Sequence, residues 1–324
     1  MYILYMRIYD YVIYHKRCFD GFTGFIILHN SNTIKKGALI YPDVPSATSI
    51  PPNIKNKNII IIDVAYKYEI LKEILRNAKY VTFIDHHVTI ANDVYKLNKE
   101  FNNLKIFYDK NKSGATLTWK YFYPKKKIPL FIQYVEDNDI GKWEMKDVYN
   151  FMTAFSVKYD PSPKRENIIE WKKLYSNKTV SELIKLGKIY NEYKSYLTEE
   201  HSKRFSIGKF PSEKIYNSHT HLFKKPGQYK VAVYCGNPCP SASDVAKKIF
   251  EKYDCDFFIA WTLNLDRKEY VLIFRSKTVN VGEIAKIFNG GGHELASAGS
   301  IKMDSFSIED LFLGSSIQRD NLIL

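Results

Sequence analysis

Cysteine is scarce in this chain: Cys18, Cys235, Cys239 and Cys255 are the only four in 324 residues. Their irregular spacing excludes a disulfide scaffold, and Cys235 with Cys239 lacks the second pair that a zinc ribbon needs. A reducing, cytoplasmic setting fits best. Long apolar runs are missing too. None approaches the length of a membrane span, so no membrane partner is expected. The first fourteen residues are apolar and tyrosine-rich, but Arg7 and Asp10 interrupt them and no small-residue cleavage site follows. That pattern predicts a strand rather than a signal peptide. Internal repeats and low-complexity stretches are also absent. Acidic residues fall short of basic ones, 35 against 48, leaving a formal net charge of +13. Such a surface attracts phosphate-rich partners. The abundance of Lys, Asn, Ile and Tyr reads as the imprint of an AT-rich genome, which weakens that inference.

What is present has the size and apolar content, 45%, for two unequal cores rather than one. Apolar runs at Tyr11 to Tyr14, Ile59 to Ile62 and Tyr80 to Ile84 alternate with helical patterns at Gly21 to Leu28 and Tyr66 to Ala78. This rhythm predicts an α/β fold: a larger N-terminal domain with a mostly parallel sheet flanked by helices. From Ile168 to Glu200 the chain reads as charged helix, with Leu183, Leu186, Tyr190, Tyr193 and Leu197 spaced for one buried face. Beyond it, Lys230 to Cys235, Phe257 to Leu263 and Tyr270 to Phe274 read as strands. A helix from Ser243 to Lys252 is capped by Ser241 or Ser243. A smaller C-terminal α/β domain follows from these, with a cleft between the two. The expected bounds are 1–200 for the first domain with its connector helix, 201–310 for the second, and a tail at 311–324.

Polar residues closing the apolar runs carry the chemistry, because ligands in open parallel sheets sit beyond the carboxyl ends of the strands. Asp85, His86 and His87 follow one run directly. One carboxylate and two imidazoles suit a divalent ion, and the carboxylate can also fix the tautomer of a ligating histidine. Asp63 closes the four-isoleucine run, where a carboxylate has little structural reason to be unless ligated or paired. His15 closes the first run and is followed by Cys18, Asp20 and Gly21, the glycine allowing close backbone approach just before a helix start. Asp137 and Asp139 follow the apolar segment Phe131 to Val135, and spacing alone does not choose between them. Ser113-Gly114-Ala115 reads as a helix start packed by Leu117 and Trp119. His219 and His221 read as solvated loop residues, and His29 and His201 suggest nothing.

In this order the motifs resemble those of the DHH phosphoesterases, a family that includes exonucleases, nanoRNases, cyclic dinucleotide phosphodiesterases, exopolyphosphatases and family II pyrophosphatases. The stretch Tyr14 to Gly21 resembles the first motif, Ile62-Asp63 the second, Asp85-His86-His87 the third and Glu136 to Asp139 the fourth. The resemblance implies two divalent ions, Mn²⁺ first with Mg²⁺ or Co²⁺ as alternatives. Asp63 would bridge them, with His15, Asp20, His86 and Asp137 or Asp139 around them. It also makes Asp85, His86 and His87 the catalytic set, His87 facing the phosphoryl group. One departure stands out: Cys18 holds a position where members usually carry an aspartate. A thiolate favours softer metals, so the site is altered, single-metal or tuned to another ion.

The C-terminal part is similar to the DHH-associated domain. Phe288-Asn289-Gly290-Gly291-Gly292-His293, followed by Ala296 and Ala298-Gly299, resembles its GGGH signature, and Arg275-Ser276 its substrate-binding step. Consecutive glycines are expected to form an anion-binding nest with His293 beside it, and Arg275 to offer a bidentate phosphate contact. The implied activity is hydrolysis of a short oligonucleotide or a linear or cyclic dinucleotide. An exopolyphosphatase and a nucleotide-binding protein without turnover remain the alternatives, and a homodimer is left open.

Overall fold

The computed structural model describes residues 7–304 and 307–314. Ten residues of the expected tail, 315–324, and residues 1–6 of the expected leading strand lie outside them. The chain divides into two compact units, Met1–Asn191 and Glu192–Leu324.

The first unit begins with β1 (Tyr9–His15), α1 (Phe19–His29), β2 (Ile34–Asp43) and β3 (Asn58–Ile62). There follow α2 (Tyr68–Asn77), β4 (Tyr80–Asp85), α3 (Ala91–Glu100) and β5 (Leu104–Tyr108). Its five strands are all parallel, in the order β2-β1-β3-β4-β5. The runs of β-branched residues explain the centre of this sheet. Ile59 to Ile62 are each 0% exposed, with Ile60 and Ile62 packed in one core and Ile59 and Ile61 in the other. A strand covered on both faces needs no polar alternation, and each such side chain contributes about 1.5–3 kcal/mol by burial. One core, under α1, is aromatic: Phe22 and Phe25 pack with Tyr14, and Trp171 meets Phe22 edge-on. The other, under α2 and α3, is mainly aliphatic, with Tyr11, Tyr66 and Phe83 set among isoleucines, leucines and valines.

Helices follow: α4 (Gly114–Phe122), α5 (Leu130–Asp139), α6 (Val148–Lys158), α7 (Arg165–Lys172) and α8 (Asn177–His201), whose last turns, from Glu192, fall in the second unit. Phe131 to Val135 is therefore part of a helix and not a strand. Gly187 lets α8 touch α6, since a Cβ there would lie 1.7 Å from the Asn150 carbonyl oxygen. The buried face expected along α8 is only partial. Leu183 is buried, but Tyr193 is 62% exposed and stacks on Tyr196 instead.

The second unit holds β6 (Ser206–Phe210), α9 (Glu213–Ser218), β7 (Tyr229–Cys235), α10 (Ala242–Lys252) and β8 (Phe257–Asn264). It continues with β9 (Glu269–Ser276), α11 (Val281–Lys286), β10 (Gly291–His293) and β11 (Ala296–Lys302). Its sheet is mixed, in the order β10-β11-β9-β8-β7-β6, with only β7 and β8 parallel. Ser241 caps α10 by accepting from the Asp244 amide. Core packing runs on to Leu311 and Phe312, past residue 310. Among the described residues no helix is long and apolar enough to cross a membrane.

Candidate metal centre

Where β2 lies on one side of β1 and β3 on the other, the crossovers leave in opposite directions and open a crevice at the carboxyl ends of β1 and β3. His15 ends β1 and Asp63 follows β3 at that point. Asp63 is 1% exposed, donates its amide to the Ile84 carbonyl, and sits in the left-handed region with φ 63°. Aspartate tolerates that conformation better than most residues.

Around Asp63 the other motifs arrive. Its Oδ2 lies 3.5 Å from His15 Nδ1 and accepts from the Cys18 thiol at 3.4 Å. Its Oδ1 lies 3.3 Å from His86 Nε2 and 3.8 Å from His87 Nδ1. His86 Nε2 is also 3.3 Å from Asp139 Oδ2. The two carboxylate oxygens of Asp63 thus face two corners of one cluster. Three sets of ligating atoms lie within 4.8 Å of one another: His15, Cys18 and Asp63; Asp63, His86 and His87; Asp20, His86 and Asp139.

Asp20 is held by a device the motif reading missed. The first turn of α4 turns its free amides toward it, Gly114 N to Oδ2 at 2.6 Å and Ala115 N to Oδ1 at 3.0 Å. Ser113 caps this helix by accepting from the Thr116 amide. Gly114 has to be glycine, because a Cβ would lie 2.8 Å from Asp63 Cβ and 2.9 Å from Asp20 Oδ2. The Ser-Gly helix start was visible in the sequence. Its target was not.

Asp85 plays a different part from its neighbours. It is 0% exposed, and its Oδ1 accepts from the His86 and His87 amides at 2.6 and 2.8 Å and meets His87 Nδ1 at 2.7 Å. Asp85 therefore shapes the turn and orients His87; its Oδ2 is buried without a partner, and it belongs to none of the three ligating sets. Asp137 does not join the cluster either. Both its oxygens accept backbone amides, from Glu144 at 3.2 Å and Met145 at 3.1 Å, and it closes the loop after α5. Two residues apart on a helix point to different sides, so only Asp139 reaches the site. His87, expected to face a phosphoryl group, has Nδ1 at 3.8 Å from Asp63 Oδ1 and joins Asp63 and His86 in one of the three sets.

The charges are strongly coupled. Burial would raise the Asp63 carboxyl, but the imidazoles of His15, His86 and His87 outweigh it and hold it at about 2. Burial would lower His86, yet Asp63, Asp20 and Asp139 push it up to about 9. Burial, with Asp63 beside it, lifts Asp139 to about 6 and raises Asp20 well above the usual carboxylate range. Several negative groups crowded in a dry place call for a cation. Asp63 Oδ1 and His15 Nδ1 make the same demand: both are buried and neither has a partner with hydrogen-bond geometry. Native proteins seldom leave such atoms unsatisfied. The donor set of carboxylate, imidazole and thiol fits divalent ions.

In the second unit, Arg275 is the penultimate residue of β9, donating Nε–H to Ser243 Oγ at 2.8 Å and an NH1 proton to the Phe274 carbonyl at 2.7 Å. It lines a groove of about 540 Å³ with Ser243, Lys247, Phe250 and Lys277. Ser276 is spent on its own turn, accepting from Thr278 N and Val279 N. The glycines are not a nest. Gly291 to His293 form an exposed edge strand against β11, whereas a nest needs alternating right- and left-handed residues. Gly290 and Gly292 are required by packing: a Cβ on the first would lie 2.0 Å from Ala298 O, and the second has φ +142°. A Cβ on Gly291 would meet nothing within 4 Å.

No protein-family model matches the chain. It is 30% identical over 303 residues to an uncharacterized protein of Acanthamoeba polyphaga mimivirus, covering 89% of this chain and 66% of that one. The chain thus spans about two thirds of the length of that relative. Among solved structures, a pGpG-specific phosphodiesterase from Vibrio cholerae matches with TM-score 0.47 and 14% identity, over 91% of this chain and 94% of that one. An exopolyphosphatase-related protein from Bacteroides fragilis matches with TM-score 0.39 and 13% identity, over 94% and 89%. With four motifs in DHH order meeting at one cluster, and the Arg-Ser step and glycine strand following, the chain resembles the DHH phosphoesterases along most of its length.

Proposed function

We propose that the chain is a metal-dependent phosphoesterase of the DHH type that hydrolyses short oligonucleotides or linear or cyclic dinucleotides. One observation carries this reading: Asp20, Asp63, His86 and Asp139, drawn from four separate segments, bring ligating atoms together at the carboxyl ends of β1 and β3. Divalent ions, when bound, supply a more acidic water and neutralise charge on the phosphoryl oxygens.

The chain's own residues do the rest. Asp63 would help hold the ions through both oxygens, Oδ2 beside His15 and Cys18 and Oδ1 beside His86. His15 and Cys18 complete one corner, while Asp20, His86 and Asp139 complete the other. Asp85 holds His87 through Nδ1, leaving Nε2 as the atom that faces away from that bond and could exchange a proton with a phosphoryl or leaving-group oxygen. In the second unit, Arg275 would pair with a substrate phosphate and Gly291 would leave room for one to approach its backbone, with His293 alongside.

The test offers the purified full chain, with Mn²⁺, linear dinucleotides, cyclic dinucleotides, longer RNA and polyphosphate, beside Asp63→Asn. The reading expects cleavage of the dinucleotides, lost in the variant. Phosphate released from polyphosphate alone would move the assignment to an exopolyphosphatase. Nucleotide binding without product in any metal would make the chain a binding protein.

A further inference from the structure

The two corners of the cluster differ in chemical softness. Asp20, His86 and Asp139 offer two carboxylates and one imidazole. The corner of His15, Cys18 and Asp63 replaces one hard oxygen by sulfur, and its three ligating atoms lie within 4.8 Å of one another. Carboxylate-rich sets suit Mn²⁺ and Mg²⁺, whereas thiolate with imidazole suits Zn²⁺ and similar softer ions.

Resting on the metal-centre reading above, we propose that the centre is heterometallic: a thiophilic ion of the Zn²⁺ class at the His15–Cys18–Asp63 corner, a hard ion of the Mn²⁺ class at the Asp20–His86–Asp139 corner. Position makes Cys18 a ligand rather than a bystander. It stands at the N-cap of α1, on a turn whose preceding residue, Arg17, has φ 56°. That turn brings Sγ to 3.4 Å from Asp63 Oδ2. As N-cap it makes no side-chain hydrogen bond to the helix, so its thiol is not occupied in capping. His15 Nδ1, buried without a proper hydrogen-bond partner, belongs to this corner. Asp63, 1% exposed, is the residue that joins it to the other. Gly21 keeps the arrangement tight, since a Cβ there would lie 2.7 Å from His15 Cβ.

Cobalt reads out the ligand set directly. The full chain is stripped with a chelator and titrated with Co²⁺, in parallel with Cys18→Asp and Cys18→Ser, each checked for folding by circular dichroism. The proposal expects a near-ultraviolet sulfur-to-cobalt charge-transfer band in the native chain and none in either variant, both still taking up cobalt. In competition dialysis the preference for Zn²⁺ over Mn²⁺ should fall by about an order of magnitude or more in Cys18→Asp. If Cys18→Asp does not fold, Cys18→Ser carries the comparison. Cobalt bound by the native chain without the band would overturn the thiolate assignment and leave the metal centre standing. A native chain that takes up neither cobalt, zinc nor manganese would overturn both.

Discussion

Asp63 and Asp137 are both buried carboxylates, and their partners separate them. Asp137 spends both oxygens on backbone amides, while Asp63 Oδ1 has no proper hydrogen bond. Asp63→Asn should therefore abolish stoichiometric metal uptake and cost about 4 kcal/mol of transition-state stabilisation, roughly a thousandfold in rate. Asp137→Ala should keep the metal and lose about 1–3 kcal/mol of folding stability, because two amides go unpaired. Elemental analysis and urea unfolding of the two variants check both outcomes. His86 sets the pH dependence. An ion must displace the proton that neighbouring carboxylates hold on its ring up to about 9, so metal affinity should rise by roughly tenfold per pH unit from neutrality toward that value. Calorimetric titration in buffers of different ionisation enthalpy would show the released proton. For folding of the metal-free chain the sign is opposite. With a folded value above the unfolded one of about 6.5, the stabilisation from His86 is complete below the unfolded value. It is lost as pH climbs through about 9.

Elements rather than single side chains position Asp20, and α4 is the one that matters. Gly114→Ala pushes a methyl group against Asp20 and Asp63. It should destabilise the fold by about 1–3 kcal/mol and weaken Mn²⁺ binding, as read by electron paramagnetic resonance. Gly291→Ala meets open space, so its stability should stay within about 0.5 kcal/mol of the parent while KM rises. Strands β1, β3 and β4 were legible because burial on both faces writes continuous apolar runs. The edge strands β2 and β5 were not: β2 carries Lys35, Lys36 and Gly37 and is nowhere fully buried. The segment before Asp137 was ambiguous for the same physical reason, since five apolar residues suit a buried helix turn as well as a strand. Three adjacent glycines look alike in sequence whether they form a nest or an edge strand. Which carboxylates meet was legible from motif order; which of Asp137 and Asp139 turns inward was settled only by the loop that Asp137 closes.

At the scale of the molecule, the candidate ligands among the described residues all lie between residues 15 and 139, in the first unit. Binding an ion stabilises what holds it by mass action, about 2.7 kcal/mol at a hundred times the dissociation constant. Hydrogen exchange should accordingly slow in β1, β3, β4 and the first turn of α4 when metal is added, with β7, β8 and β9 unmoved. Uniform protection of both sheets would contradict this division. The excess of basic residues belongs to the whole chain, so association with anionic substrates should weaken steadily as salt rises.

The φ of 63° at Asp63 ranks the replacements that position could accept. Glycine and asparagine adopt such a backbone readily and would preserve the fold without the charge. Glutamate keeps the charge but resists the conformation. Drift toward the chemically nearest residue is therefore the costlier path, and a lineage that gives up the charge at this position should pass through asparagine or glycine.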